Sequence, residues 1–201
     1  MQFCDVLVYV QLSWLRHEVA LHECSAGVNE IAMAKIFVSK DFKVPKSLVT
    51  DLYRLEILEP NVAEIDYDAV MSSKERLRHV FCENDEWPAD NMTLEDNMRD
   101  LEQHEAEFHS RKAFAYTVLT LSKERCIGCV YFYPSSIPEY DCEAYLWVRT
   151  SEVDLDENLY KNIRNWLKTH WQFKRVAFPG RKIPWNKWPG TLFQGISIFR
   201  L

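Results

Sequence analysis

Three apolar, strand-like runs follow one another with no helix between them. They are Ala113 to Leu121, alternating around Phe114, Tyr116 and Val118; Cys126 to Tyr133, apolar throughout and stopped by Pro134; and Cys142 to Arg149. The turns between them are too short for a crossover, so neighbours are expected to pair antiparallel. The third run leads into a helical stretch, Leu155 to His170, with Leu159, Ile163, Trp166 and Leu167 on its inward face. Arg175 to Phe178 then reads as another strand, halted by Pro179-Gly180. A meander joined to a strand–helix–strand crossover makes a mixed sheet. The expected fold class is therefore α/β of the α+β type: a mixed, mostly antiparallel sheet flanked by helices.

Upstream, Tyr53 to Leu58 alternates and ends at Pro60, which suits a strand, and Asp66 to Phe81 is helix-like. Residues 83–92 read as a loop. Thr93 opens the next helix, because Thr93 and Asp96 make a near capping box and acids favour the positive helix end. That helix is expected to run to about Arg111, with Leu94, Met98, Leu101 and Phe108 inward. Residues 1–45 are assigned to an N-terminal extension of uncertain structure and 46–201 to one domain. Phe3 to Leu15 reads as a strand or a short buried helix. Met33 is the expected native start, which would make residues 1–32 an artefact.

With 201 residues and 47% hydrophobic content, the chain can bury one full core. No run of about 18 apolar residues is present to span a membrane. The six cysteines do not form a secreted disulfide framework, so a reducing cytoplasm is the default. Cys126 and Cys129 have redox or metal spacing, but strand positions i and i+3 face opposite sides, so both read as buried thiols. His104 and His109 are five apart, which is poor spacing for a shared ion. No metal is expected.

Acids outnumber bases from Arg54 to Lys112, whereas none follows Glu157. The tail instead carries Lys161, Arg164, Lys168, Lys174, Arg175, Arg181, Lys182, Lys187 and Arg200, and would attract an anion. Where the third strand meets its helix, helix amides could hold phosphate. Yet that turn holds Glu152, Asp154, Asp156 and Glu157 and no glycine. Asp154 or Asp156 would also serve as N-cap, taking up the amides a phosphate would use.

This order of elements, from about Tyr53 to Phe178, resembles that of the GNAT superfamily of acetyl-CoA-dependent N-acetyltransferases. The stretches "NDEWPADNMTLEDNMRDLEQHEAEF", "FAYTVL", "CIGCVYFYP" and "EAYLWVR" resemble a bacterial subgroup of it. The resemblance implies transfer of an acetyl group from acetyl-CoA to a small-molecule or peptide amine. It also implies that the strand before the crossover helix splays from its neighbour and pairs its backbone with pantetheine. The cofactor positions so implied are Leu146, Trp147, Val148 and Arg149, with Lys161, Arg164 or Arg181 compensating for the non-standard pyrophosphate turn. Trp87 is the implied acceptor contact.

A carboxylate or imidazole beside the thioester would serve as base. Stepping along the second helix lands on Glu105 beside His104, and Glu143 begins the splayed strand; these three are the catalytic candidates. No residue matches the family's general-acid tyrosine, and Tyr145 and Tyr160 are expected to pack. After Phe178 only one further strand, Leu192 to Phe199, is expected, and a truncated sheet edge would favour a homodimer. Two alternatives stay open. One is a catalytically inactive GNAT-like module. The other is a nucleic-acid binder using the basic tail with Trp166, Trp171, Trp185 and Trp188.

Overall fold

A computed structural model describes residues 36–84 and 86–189. The expectations for Phe3 to Leu15, for a start at Met33 and for a strand over Leu192 to Phe199 lie outside these residues. The described strands are β1 (Ser47–Val49), β2 (Arg54–Ile57), β3 (Phe114–Leu119), β4 (Cys126–Pro134), β5 (Cys142–Val148) and β6 (Val176–Ala177). They form one sheet in sequence order, antiparallel except for the parallel pair β5–β6. This is the mixed, mostly antiparallel sheet expected; only the short edge strand β1 is additional.

Helices α1 (Ala63–Met71), α2 (Lys74–Leu77) and α3 (Leu94–Ser110) join β2 to β3, and α4 (Asp156–His170) joins β5 to β6. The single helix expected over Asp66 to Phe81 begins three residues earlier, behind Pro60, and breaks at Ser72–Ser73. α3 starts as its sequence dictates. The Thr93 hydroxyl accepts from Asp96 N at 3.1 Å, and Asp96 Oδ2 accepts from Thr93 N at 2.9 Å. Two otherwise orphaned helix amides are satisfied in this way.

α1, α2 and α3 cover one sheet face around Leu58, Val70, Leu77, Phe81, Leu101, Tyr131 and Trp147. α4 covers the other around Tyr116, Phe132, Leu146, Ile163, Trp166 and Trp171. There Trp171 meets Phe132 and Trp166 edge-on at 5.1 and 5.7 Å. Such aromatic pairs contribute about 0.5–1.5 kcal/mol each beyond area burial. Phe37, Val38, Phe42 and Val44 pack on this same face.

The inward face of α3 differs from the expected one. Asn97, Leu101, His104, Glu107 and Phe108 are buried, whereas Leu94 is 38% exposed. The helix packs partly on a buried polar cluster around Asp66, so its core face carries polar side chains that a count of apolar residues passes over.

Candidate active site

β6 pairs with β5 only at Cys142 and Glu143. β5 continues to Val148, bonded to β4 along its whole length, while the chain after Ala177 turns away through Phe178, Pro179 and Gly180. The two parallel strands therefore part at Glu143. A cleft of about 420 Å³ lies beside the open edge, lined by Ala144, Tyr145 and Leu146 on one side and Pro179, Gly180 and Arg181 on the other. Arg76, Arg78, His79 and Val80, from α2 and the segment after it, line it further, and so does Asp156. Gly180 has φ +72°, and a Cβ there would meet the Trp185 ring at 2.6 Å. That indole donates to His79 O at 3.1 Å and stacks on Tyr145, joining the tail to the cleft wall.

The turn after β5 is full. A 3-10 turn, Thr150–Leu155, precedes α4 and runs straight into it, so Asp156 N is already bonded to Val153 O. Ser73 Oγ accepts the leading Thr150 N at 2.9 Å, and Arg149 O accepts Glu152 N. Neither Asp154 nor Asp156 is an N-cap: Leu155 precedes α4, and the 3-10 turn is preceded by Arg149. Its guanidinium is buried and turned to Asp68, Ser72 Oγ and Cys126 O. Glu152 is drawn away to Arg125 at 2.6 Å. Asp156 faces the cleft in a two-pronged pair with Arg181, at 2.6 and 2.8 Å, and lies 3.3 Å from Arg76. A carboxylate thus sits among the cations that an incoming phosphate would seek.

At the point of parting, Glu143 is fully buried. Its Oε1 accepts from Ser135 Oγ, Ser136 N and Ser136 Oγ, and its Oε2 accepts from Tyr145 Oη at 2.8 Å. Burial, with Glu143 beside it, pushes the Tyr145 phenol up, so that hydroxyl keeps its proton. Tyr145 was expected only to pack, yet it lines the cleft. The other catalytic candidates lie apart from it. His104 is buried on α3 with Nδ1 3.7 Å from Glu107 Oε2. Glu105 points off the buried face toward His109, 3.9 Å away.

Of the cofactor candidates, Leu146 lines the cleft, and Trp147 and Val148 continue the same open edge. Lys161 lies by Glu157 at 3.7 Å. Arg164 sits over Tyr160 and lines a different basin with Trp171 and Phe173. Arg181 does reach the cleft. Trp87 packs on Phe81 and Trp147 in the α1–α3 core. Of the four tryptophans considered for stacking bases, Trp166 and Trp171 are core residues at 3% and 7% exposure, whereas Trp185 and Trp188 are half-buried against Tyr145 and Tyr140. The residues missed were Arg76, Arg78 and His79, although the basic run "KERLRH" within an acidic region was a signal for them.

Neither protein-family models nor curated proteins match this sequence. Solved structures do. One named "Probable acetyltransferase" superposes with TM-score 0.52 at 13% identity, over 65% of this chain and 71% of its own. This is the GNAT fold. The ribosomal-protein-S5-alanine acetyltransferase from Vibrio fischeri gives 0.49 at 14% identity, over 60% of this chain and 66% of that one, just under two thirds of its length. The microcin C7 self-immunity acetyltransferase MccE, solved with acetyl-CoA and AMP, gives 0.47 at 18% identity, over 64% and 71%. At such identities the likeness speaks of fold alone.

Proposed function

We propose that the protein is an acetyl-CoA-dependent N-acetyltransferase whose cofactor lies in the cleft between β5 and the segment after β6. The observation that carries this reading is the parting of the parallel strands at Glu143. It leaves backbone donors and acceptors unpaired beside a cavity, and an extended amide chain such as pantetheine can add there like a strand. The residues present fit a phosphorylated cofactor at one place and not at another. The Asp156 amide that opens α4, and the Thr150 and Glu152 amides before it, are already bonded, so they are poor phosphate ligands. Arg76, Arg78 and Arg181, with His79, make a cationic wall, and we assign the pyrophosphate to it. Lys161 and Arg164 do not reach that wall.

Acetyl-CoA supplies the activated acyl group when bound. This chain aligns the partners and takes a proton from the amine. The Tyr145 hydroxyl belongs to a residue of the cleft wall and is held by Glu143, where the strands part. In this reading the amine proton passes to the Tyr145 oxygen as its own proton moves to Glu143, along a hydrogen bond already made. The amine nitrogen bonds to the acyl carbon, the carbon–sulfur bond breaks, and the thiolate leaves. The acceptor is an amine, small or peptidic.

Thiol release from acetyl-CoA, measured across a panel of amines and N-terminal peptides, tests the reading. Amine-dependent release is expected for at least one of them. It should weaken at least tenfold in Arg181→Ala, since a charge-assisted hydrogen bond contributes about 1.5–3 kcal/mol. CoA binding without turnover on any amine would leave only an inactive module, and this proposal would fail.

A further inference from the structure

At the other end of β4 from the strand split lies a cluster that acetyl transfer does not use. Cys126 and Cys129 are both completely buried, and both face Asp66 of α1, which is 3% exposed. A regular strand would put the two thiols on opposite faces, as their spacing suggested. A β-bulge changes this. The β3–β4 register passes from Val118↔Gly128 directly to Leu119↔Cys126, leaving Ile127 unpaired. Ile127 turns into the α4-side core, and Cys126 and Cys129 fall on the α1–α3 side. The bulge requires Gly128, because a Cβ there would lie 2.0 Å from Trp147 O. Bulges re-aim side chains, and this one aims two thiols at one carboxylate.

We infer that Asp66, Cys126 and Cys129 form a buried site for one thiophilic divalent cation of the zinc class. Asp66 Oδ1 is 3.2 Å from Cys129 Sγ and 3.8 Å from Cys126 Sγ, and the three ligand atoms all lie within 4.8 Å of one another. Tetrahedral zinc, with bonds of about 2.3 Å to sulfur and about 2.1 Å to oxygen, separates such ligand atoms by about 3.6–3.8 Å. Little adjustment is needed. The recorded hydrogen-bond partners of the Asp66 carboxylate are two weak thiol donors and the Asn97 amide at 3.0 Å. A buried carboxylate so placed is compensated by a metal or stays protonated. A void of about 20 Å³ adjoins it, lined also by Asp100, His104 and Tyr131. That is room for one water beside Asp66, on the side away from the two thiols. Binding needs both thiols as thiolates and Asp66 ionised, so it releases protons. The ion would tie α1 to β4.

The full chain, produced in cobalt-supplemented medium and purified without chelator, tests this. One cobalt per chain is expected, with a near-ultraviolet thiolate-to-cobalt charge-transfer band and tetrahedral ligand-field bands in the visible. Native mass spectrometry should show one ion added and protons lost. Cys142→Ser, whose thiol lies on the other sheet face, should keep the band. Cys126→Ser, Cys129→Ser and Asp66→Asn should each lower the metal content at least tenfold. A folded wild-type chain without metal after growth in either cobalt or zinc would overturn the inference. So would a charge-transfer band that survives in the Cys126→Ser/Cys129→Ser double variant. The wild-type result decides even if a variant fails to fold.

Discussion

Single atoms decide much in this molecule. Gly128 is held by the Trp147 carbonyl, with no room for a methyl group. Gly128→Ala should therefore move β5 or flatten the bulge, lowering stability by about 2 kcal/mol. Urea unfolding checks this, and a variant as stable as wild type would show that the bulge is loose. Glu143 and Tyr145 act as a unit in the proposed chemistry. Glu143→Gln and Tyr145→Phe should each lower kcat by about two orders of magnitude, and the double variant should lose little more than either. Steady-state thiol release measures this; losses that multiply in the double variant would assign the two residues separate roles. Some residues of this kind were legible in the sequence. Glu143 was named as the start of the strand the resemblance implies is splayed, and the acidic turn was plainly unlike a phosphate loop. What the carboxylates there do was not legible. Glu152 is bound by Arg125, and Asp156 by Arg76 and Arg181, partners distant in sequence that only the folded sheet brings near.

At the scale of elements, local signals and the inward face of α4 survived, and the face of α3 did not. The Thr93–Asp96 capping box and the alternation of β3 are short-range, and the fold keeps both. The face of α3 went astray because Asn97, His104 and Glu107 are inside it. The two cysteines were set on opposite faces because a bulge leaves no mark in hydrophobic pattern. α3 also carries a pH dependence. Burial pushes the Asp100 carboxyl up to about 6, with His104 pulling the other way. An unfolded aspartate titrates near about 4. The fold favours protonated Asp100, so its share of stability is present below about pH 4 and is lost as pH rises through about 6. About 3 kcal/mol is at stake, each pKa unit being about 1.4 kcal/mol. Asp100→Asn should flatten this part of the curve. Chemical denaturation across that window measures it, and identical slopes in the two proteins would contradict the assignment.

Across the whole molecule, sheet order, antiparallel meander and crossover followed from three adjacent strands and one amphipathic helix. The parting at β5 was implied only by the resemblance to the GNAT superfamily. The cationic wall was less visible, because Arg76 and Arg78 lie in an acidic region and meet Arg181 only across the cleft. Among the described residues no helix is long and apolar enough to cross a membrane. In the proposed reading, arginines partly occupied by Asp156 stand in for an amide-lined phosphate turn. Calorimetric titration of CoA into the wild type and Asp156→Asn tests this most directly. Wild type should bind, and Asp156→Asn should bind up to about tenfold tighter, one surface charge interaction being about 1.4 kcal/mol. No heat from either protein at millimolar CoA, or weaker binding by Asp156→Asn, would contradict it.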